Sequence, residues 1–453
     1  MEVIIINHIE NKMSFKNLIK FAMPSIIMMI FLSSYTIIDG FFVTRYVGSE
    51  ALAALNITYP LTGLMLAIGI MFSTGGSALV GKLLGEGENQ RARECFTLIS
   101  LVSVLIAVIL PLIIIIFLHP ILILLGSDNA TYQFGYDYIL IILIFSPAAA
   151  LQLLTQSFMV VDSRPRLGLA LTIAAGIANM ILDYVFMGPC NMGITGAAWA
   201  TITGYMITAI GGLIYFSTSK KSLYIVKPKL KLSWLAQSML NGSSEMVTNL
   251  SSAIITLLFN IFMLYLLGNK GVAAITVILY AQFVMLSFFI GYSMGVAPVF
   301  SYHFGAGNKE YIKDIRNKSY TFLAIASIIV CIVSMLSAKL TGELFSNGDI
   351  EIKELIIRGT YLFSINYLFS GINVFNSSLF TALNDGKTSA LISFMRTFIF
   401  IIIFMFAMTA ILKVDGLFLS IPFAELTTLL VTLAFFKRQY HKRELIMNTP
   451  KEK

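Results

Sequence analysis

Long apolar runs fill the chain, broken at intervals by short clusters of glycine, proline and charge. A helix needs about 20 consecutive apolar residues to cross the hydrocarbon of a bilayer. Twelve runs meet that length. The first half holds 18–46, 51–83, 94–118, 131–160, 167–187 and 193–216. The second holds 233–266, 271–303, 316–345, 351–382, 388–412 and 415–436. The pattern predicts an all-α membrane protein with twelve transmembrane helices.

The polar breaks between the runs alternate in charge. One set carries Arg91, Arg93, Arg164 and Arg166, then Lys220, Lys221, Lys227, Lys229 and Lys231. It continues with Lys309, Lys313, Arg316 and Lys318, and ends with Lys437, Arg438, Lys442 and Arg443. The other set, at 188–193, 268–271 and 413–415, is short and nearly uncharged. Cytoplasmic loops of membrane proteins collect Lys and Arg. The basic set and both termini are therefore expected in the cytoplasm. The first twenty residues lack an apolar core followed by a small-residue cleavage site, so the first helix is expected to be retained.

The chain also repeats itself. Ala53-Ala54-Leu55 returns as Ala273-Ala274-Ile275, Gly85-Glu-Gly87 as Gly305-Ala-Gly307, and Gly196 as Gly416, each 220 residues on. Six spans per half keep the two halves in the same orientation, which makes a parallel repeat about an axis along the membrane normal. The expected divisions are an N-terminal segment at 1–17, a first six-helix lobe at 18–216, a linker at 217–232, a second lobe at 233–436 and a basic tail at 437–453.

Composition narrows the function. Apolar residues make up 57% of the 453 and charged residues 12%, against about 25% charged in soluble domains. The mean hydropathy is +0.85. The net charge of +8 lies in loops and sets topology, so nucleic-acid binding is not expected. Cys95, Cys190 and Cys331 show no paired spacing, which predicts neither disulfide nor metal site. A phosphate-binding GxxxxGK[ST] loop and an HExxH helix are both missing. The expectation is a protein that is not an enzyme, has no cofactor, and draws on an ion gradient.

Polar side chains inside the apolar runs carry the chemistry. Asn179 and Asp183 stand four residues apart in the fifth span, on one helix face. A charged side chain in hydrocarbon costs several kcal/mol by roughly any scale and is generally functional. Counting turns from the outer surface puts Asp39 of the first span and Thr201 of the sixth at about the same depth as that pair. Two carboxylates, an amide and a hydroxyl supply hard oxygens, able to hold Na⁺ or to bind and release a proton. A buried Asp capped by a neighbouring amide, with no role in transport, is the competing reading. Pro24 lies in the first helix with Asp39, and proline removes a helix hydrogen bond and clashes with the preceding turn.

These features resemble the multidrug and toxic compound extrusion (MATE) family, specifically its DinF-like and archaeal-type branch. The carriers are Pro24, IIDGFFVTRYVG at 37–48, ALAALNITYP at 51–60, Asn179-x-x-x-Asp183, Gly193-x-x-Gly196-Ala-Ala-x-Ala-Thr201 and the twelve-span repeat. The resemblance implies two six-helix lobes in a V, alternating access, and export driven by H⁺ or Na⁺ re-entry. It implies a cation site in the first lobe at Asp39 and Asp183, with Asn179, Thr201 and the carbonyl of Ala197 as further ligands. It also implies a first helix that bends at Pro24. Asp39 favours this branch, because some multidrug members carry Asn there.

The second lobe has buried charges of its own. Glu245, Arg396 and Glu425 fall in the middle third of their spans, and Arg396 and Glu425 are expected to form a buried pair. The resemblance makes Glu245 a functional acid, but the tenth span offers Asn366, Asn373 and Asn376 and no acid, which counts against a second Na⁺ site. Tyr35, Tyr59, Met65, Gln152, Gln156, Glu245, Tyr280, Gln282 and Asn373 are the candidate cavity residues, since aromatic faces attract organic cations and Met adapts its shape. The expected function is a cation-coupled antiporter exporting amphipathic organic cations across a prokaryotic inner membrane, and the resemblance implies a monomer. The alternatives are a lipid-linked oligosaccharide flippase of the same superfamily, and a non-transporting membrane scaffold. The flippase needs several cationic groups in its cavity, and Arg396 alone falls clearly inside a span.

Overall fold

The structure is a computed structural model that describes residues 12–219, 221–346 and 348–447. Lys220, Asn347, the first eleven residues and residues 448–453 of the tail lie outside the described residues. Among those described, the regular structure is all helical and forms twelve spans. They are α1 (Phe15–Tyr46), α2 (Ser49–Gly85), α3 (Asn89–Ile116), α4 (Tyr132–Ile144 and Ser146–Val161), α5 (Pro165–Met187) and α6 (Ile194–Thr218). The second half has α7 (232–267), α8 (269–305), α9 (Lys309–Phe345), α10 (Ile350–Ser364 and Tyr367–Ala382), α11 (386–412) and α12 (414–447). A short helix, Leu118–Leu124, follows α3.

Two pairs of spans follow one another directly and turn at a single residue. These residues are Gly268 (φ 66°, ψ −154°) between α7 and α8, and Lys413 (φ 52°, ψ −123°) between α11 and α12. The repeat is visible in the backbone itself. Gly48 and Gly268, Gly87 and Gly307, and Gly193 and Lys413 have positive φ at matching places in the two halves. Gly193 (φ 62°, ψ −142°) and Lys413 hold nearly the same conformation, one with a glycine and one without.

Helix alternation puts the turns α2–α3, α4–α5, α8–α9 and the α6–α7 linker at one end, called here the basic end. The linker is tied down rather than loose. Leu223 is buried in the first-lobe core beside Phe96, Phe158 and Phe216. Its backbone N–H donates to Asp162 (2.9 Å), and Arg93 donates to Ser222 O (3.0 Å) and to the Tyr224 hydroxyl (2.9 Å). At the opposite end the second lobe carries paired charges, Lys270 with Asp349 and Glu351, Lys353 with Glu343, and Arg358 with Asp415.

Backbones of the two halves approach closely near the basic end because the contact residues are small. A Cβ on Gly75 of α2 would stand 1.9 Å from Ser238 O of α7, and one on Gly242 would stand 1.8 Å from Met71 O. Among the described residues, the hydrogen bonds between the halves also fall on this side. Tyr311 accepts from Met13 N, Lys318 donates to Met13 O, Asn384 donates to Ala78 O, and Ser33 donates to Ser287 Oγ at 3.2 Å. Ser33 marks the top of the seal. Helix α1 spans both regimes. Leu18, Phe21, Ala22 and Ile26 belong to a core with Phe289, Tyr292 and Val296 of α8, whereas Val43 packs with Met187 and Ala197 of the first lobe. Pro24 is buried in the sealed half, and α1 runs through it unbroken from Phe15 to Tyr46.

Candidate functional site

Helices α1 and α5 run in the same direction and pack along the half of α1 remote from the basic end. Gly176 sets the spacing: a Cβ there would lie 2.4 Å from Phe31 Cε1 and 3.0 Å from Tyr35 Cδ1. Further along, the Tyr46 and Tyr184 rings meet edge-on at 6.2 Å. Between these contacts, Asp39 meets the face that carries Asn179 and Asp183. The two carboxyl groups come within hydrogen-bonding reach of each other. Asp183 is 0% exposed and Asn179 3%. No donor reaches Asp39 Oδ1, either oxygen of Asp183, or Asn179 Oδ1.

Two facing carboxylates with no donor between them repel, and burial deprives them of water. A proton or a small cation shared between them removes both penalties. The orphaned atoms are all hard oxygens, the donor type that suits an alkali cation. Among the described residues no group of three His, Cys, Asp or Glu gathers to hold a metal ion.

Tyrosines that the sequence did not single out complete the site. Tyr138 of α4 lies beside Thr201 and within electrostatic reach of Asp39 and Asp183. Tyr205 of α6 lies within reach of Asp39. Tyr35 lies beside Gln152 and within electrostatic reach of Tyr205 and Asp39, so both belong to this cluster. Thr201 and Tyr205 share a helix face at i and i+4, which was the available signal. For Tyr138 there was none, because the 56° bend between the two arms of α4 determines where it points. Ala197 is fully buried against Val43 and Met187, one turn from Thr201.

Several cavity expectations are corrected. Met65 packs into the first-lobe interior, lining a small pocket with Ser103, Ile106 and Ala150. Gln156 is buried and donates to Thr172 of α5 at 3.1 Å. Asn373 is buried in the second lobe, where it donates to the Glu425 carboxylate at 2.7 Å and to its backbone carbonyl at 2.8 Å. The expected Arg396–Glu425 contact pair is also absent among the described ion pairs. Glu425 is held by Asn373, and Arg396 Nε and Nη1 have no acceptor. Tyr59 and Tyr280 do face a common space. They are 58% and 47% exposed and lie within electrostatic reach of each other across the two halves. Gln282, also on α8, is half-buried near the same level.

A two-lobed bundle of twelve membrane helices, sealed at one end and holding a buried acid pair in one lobe, defines a membrane transporter. The chain belongs to the MatE family: the family model matches residues 24–185 and 246–407, once in each half. This family consists of transporters and not enzymes. Among curated relatives, the chain is 22% identical to the multidrug export protein MepA of Staphylococcus haemolyticus, over 95% of this chain and 94% of that one. It is 21% identical to MepA of Staphylococcus aureus strain MSSA476, over 92% of each. Solved structures share the fold. A MATE transporter in complex with MaL6 superposes with TM-score 0.90 at 16% identity, covering 94% of this chain and 97% of that one. A point mutant of the Vibrio cholerae MATE transporter VcmN gives TM-score 0.87 at 19% identity, over 94% of this chain and 97% of that one.

Proposed function

We propose that the chain is an antiporter that exports amphipathic organic cations, driven by H⁺ or Na⁺ entering at Asp39 and Asp183. The observation that carries this reading is the donor-free meeting of those two carboxyls with the Asn179 oxygen, inside the lobe and beyond the interlobe seal. Asp39 and Asp183 hold the coupling ion. Asn179, Thr201 and the Ala197 carbonyl support it. The acid at position 39 is also what favours the DinF-like branch. The basic end faces the cytoplasm, as its loop charges require, so the sealed state presents the Tyr59–Tyr280 space to the outside. Pro24 sits where α1 belongs to the second-lobe core, so a change at Asp39 has a mechanical path to the seal. The flippase reading loses ground to the placement of Arg396, which faces two acids and not an open cationic cavity.

The test is uptake of a fluorescent organic cation into everted vesicles with Na⁺ and pH gradients imposed separately. Wild-type uptake should follow one of the gradients. Asp39→Asn and Asp183→Asn should each lower it at least tenfold. Gradient-driven uptake that persists in both variants would remove the coupling site.

A further inference from the structure

Three helices of the second lobe bring one buried cation between two acids. Helix α11 carries Arg396 on a π-helical turn, Met395–Ile399, and packs on α7 where Gly386 meets the backbone of Leu240 and Asn241. Such turns are rare and are often found at functional sites. Arg396 is 8% exposed, and its Nε and Nη1 have no acceptor. Glu245 of α7 and Glu425 of α12 are both within its electrostatic reach, yet neither forms an ion pair with it within 4.0 Å.

The two acids are not equivalent. Glu425 is pinned by Asn373 Nδ2 at 2.7 Å. Glu245 is half-buried, and its carboxylate has no hydrogen bond or ion pair among the described residues. Its neighbour Met246 packs on the first-lobe core, so Glu245 stands beside the junction between lobes. A buried guanidinium left between a fixed and a free carboxylate is poorly satisfied where it is. With both acids ionised the set has a net charge of −1, which one added positive charge balances.

We propose that Arg396 is a tethered counter-cation to the cavity acid Glu245, and that it sets how much positive charge of the transported molecule this acid accepts. The proposal deepens the organic-cation reading above and rests on it. An arriving monocation takes Glu245 and leaves Arg396 to Glu425. A dication meets the extra repulsion of Arg396. The arrangement therefore selects monocations over dications of the same shape.

The experiment measures equilibrium binding of ethidium, a monocation, and propidium, its dicationic congener, to the full chain in nanodiscs with no ion gradient. Arg396→Gln should tighten propidium about tenfold and ethidium about threefold, because a like charge has been removed from a low-dielectric site. Glu425→Gln should act in the opposite direction. Freed from Glu425, Arg396 occupies Glu245, and ethidium weakens at least threefold. Glu245→Gln should weaken both dyes and make the further Arg396→Gln change silent. Affinities within twofold of wild type in Arg396→Gln, or a gain that survives in the double variant with Glu245→Gln, would overturn the proposal. Should Arg396→Gln not fold, unchanged or tighter ethidium binding by Glu425→Gln overturns it alone. A wild-type chain that binds neither dye overturns both this proposal and the substrate reading. Binding that follows the pattern while Asp39→Asn still exports overturns only the coupling site.

Discussion

Individual side chains of this protein are legible to the extent that they break a pattern. Asn179 and Asp183 stand out because an amide and a carboxylate interrupt an apolar run at i and i+4, and the structure brings them to Asp39. A third acid outside the spans illustrates a different balance. Asp162 caps α4 at the basic end and accepts from the Tyr215 hydroxyl at 2.6 Å and from Leu223 N at 2.9 Å. Burial nevertheless pushes its carboxyl up to about 6. The folded chain therefore holds that proton more tightly than the unfolded chain does. The stabilisation is complete below about pH 4 and is lost as pH rises through about 6, amounting to about 3 kcal/mol. Thermal unfolding of wild type should show this loss between pH 4 and 6.5, and Asp162→Asn should not. Identical pH profiles would mean that Asp162 does not titrate in this window. Tyr138, by contrast, was out of reach of the sequence. Three tyrosines, Tyr132, Tyr136 and Tyr138, share its arm of α4, and only the bend of that helix decides which meets Thr201.

Helices were the most readable level, because a bilayer dictates their length and leaves the backbone no other way to satisfy its hydrogen bonds. The twelve expected runs all correspond to spans. Their interruptions were harder to foresee. The bend in α4 and the π turn in α11 depend on packing against neighbours, which no local pattern records. The repeat explains one odd element. Lys413 adopts the positive-φ conformation that Gly193 adopts in the first half, and a side chain there is strained. Lys413→Gly should therefore stabilise the fold by about 1 kcal/mol, seen as a higher unfolding temperature. A lower unfolding temperature would show that the Lys413 side chain contributes more than its backbone costs. Helix α1 is divided between partners: its first turns belong to the second-lobe core and its last turns to the acid site. Nothing in its hydrophobic pattern shows that division, since both halves are equally apolar.

For the whole molecule, small residues decide which end is closed. Gly75, Gly242 and their partners bring the two halves into backbone contact near the basic end, and Ser33 and Ser287 close the contact from above. Past that point Tyr59 and Tyr280 remain exposed. The sequence could supply the two lobes through its 220-residue repeat, but not the end at which they meet, because glycines near both ends look alike on paper. The central claim is that a positive charge on the Asp39–Asp183 pair governs which end is open. Spin labels at Phe41 of α1 and Phe283 of α8, in a chain lacking Cys95, Cys190 and Cys331, report the separation of the lobes on the open side by pulsed electron paramagnetic resonance. The account predicts that lowering the pH or adding Na⁺ redistributes those distances in the otherwise wild-type chain, and that Asp39→Asn with Asp183→Asn abolishes the response. An undiminished redistribution in that double variant would contradict it.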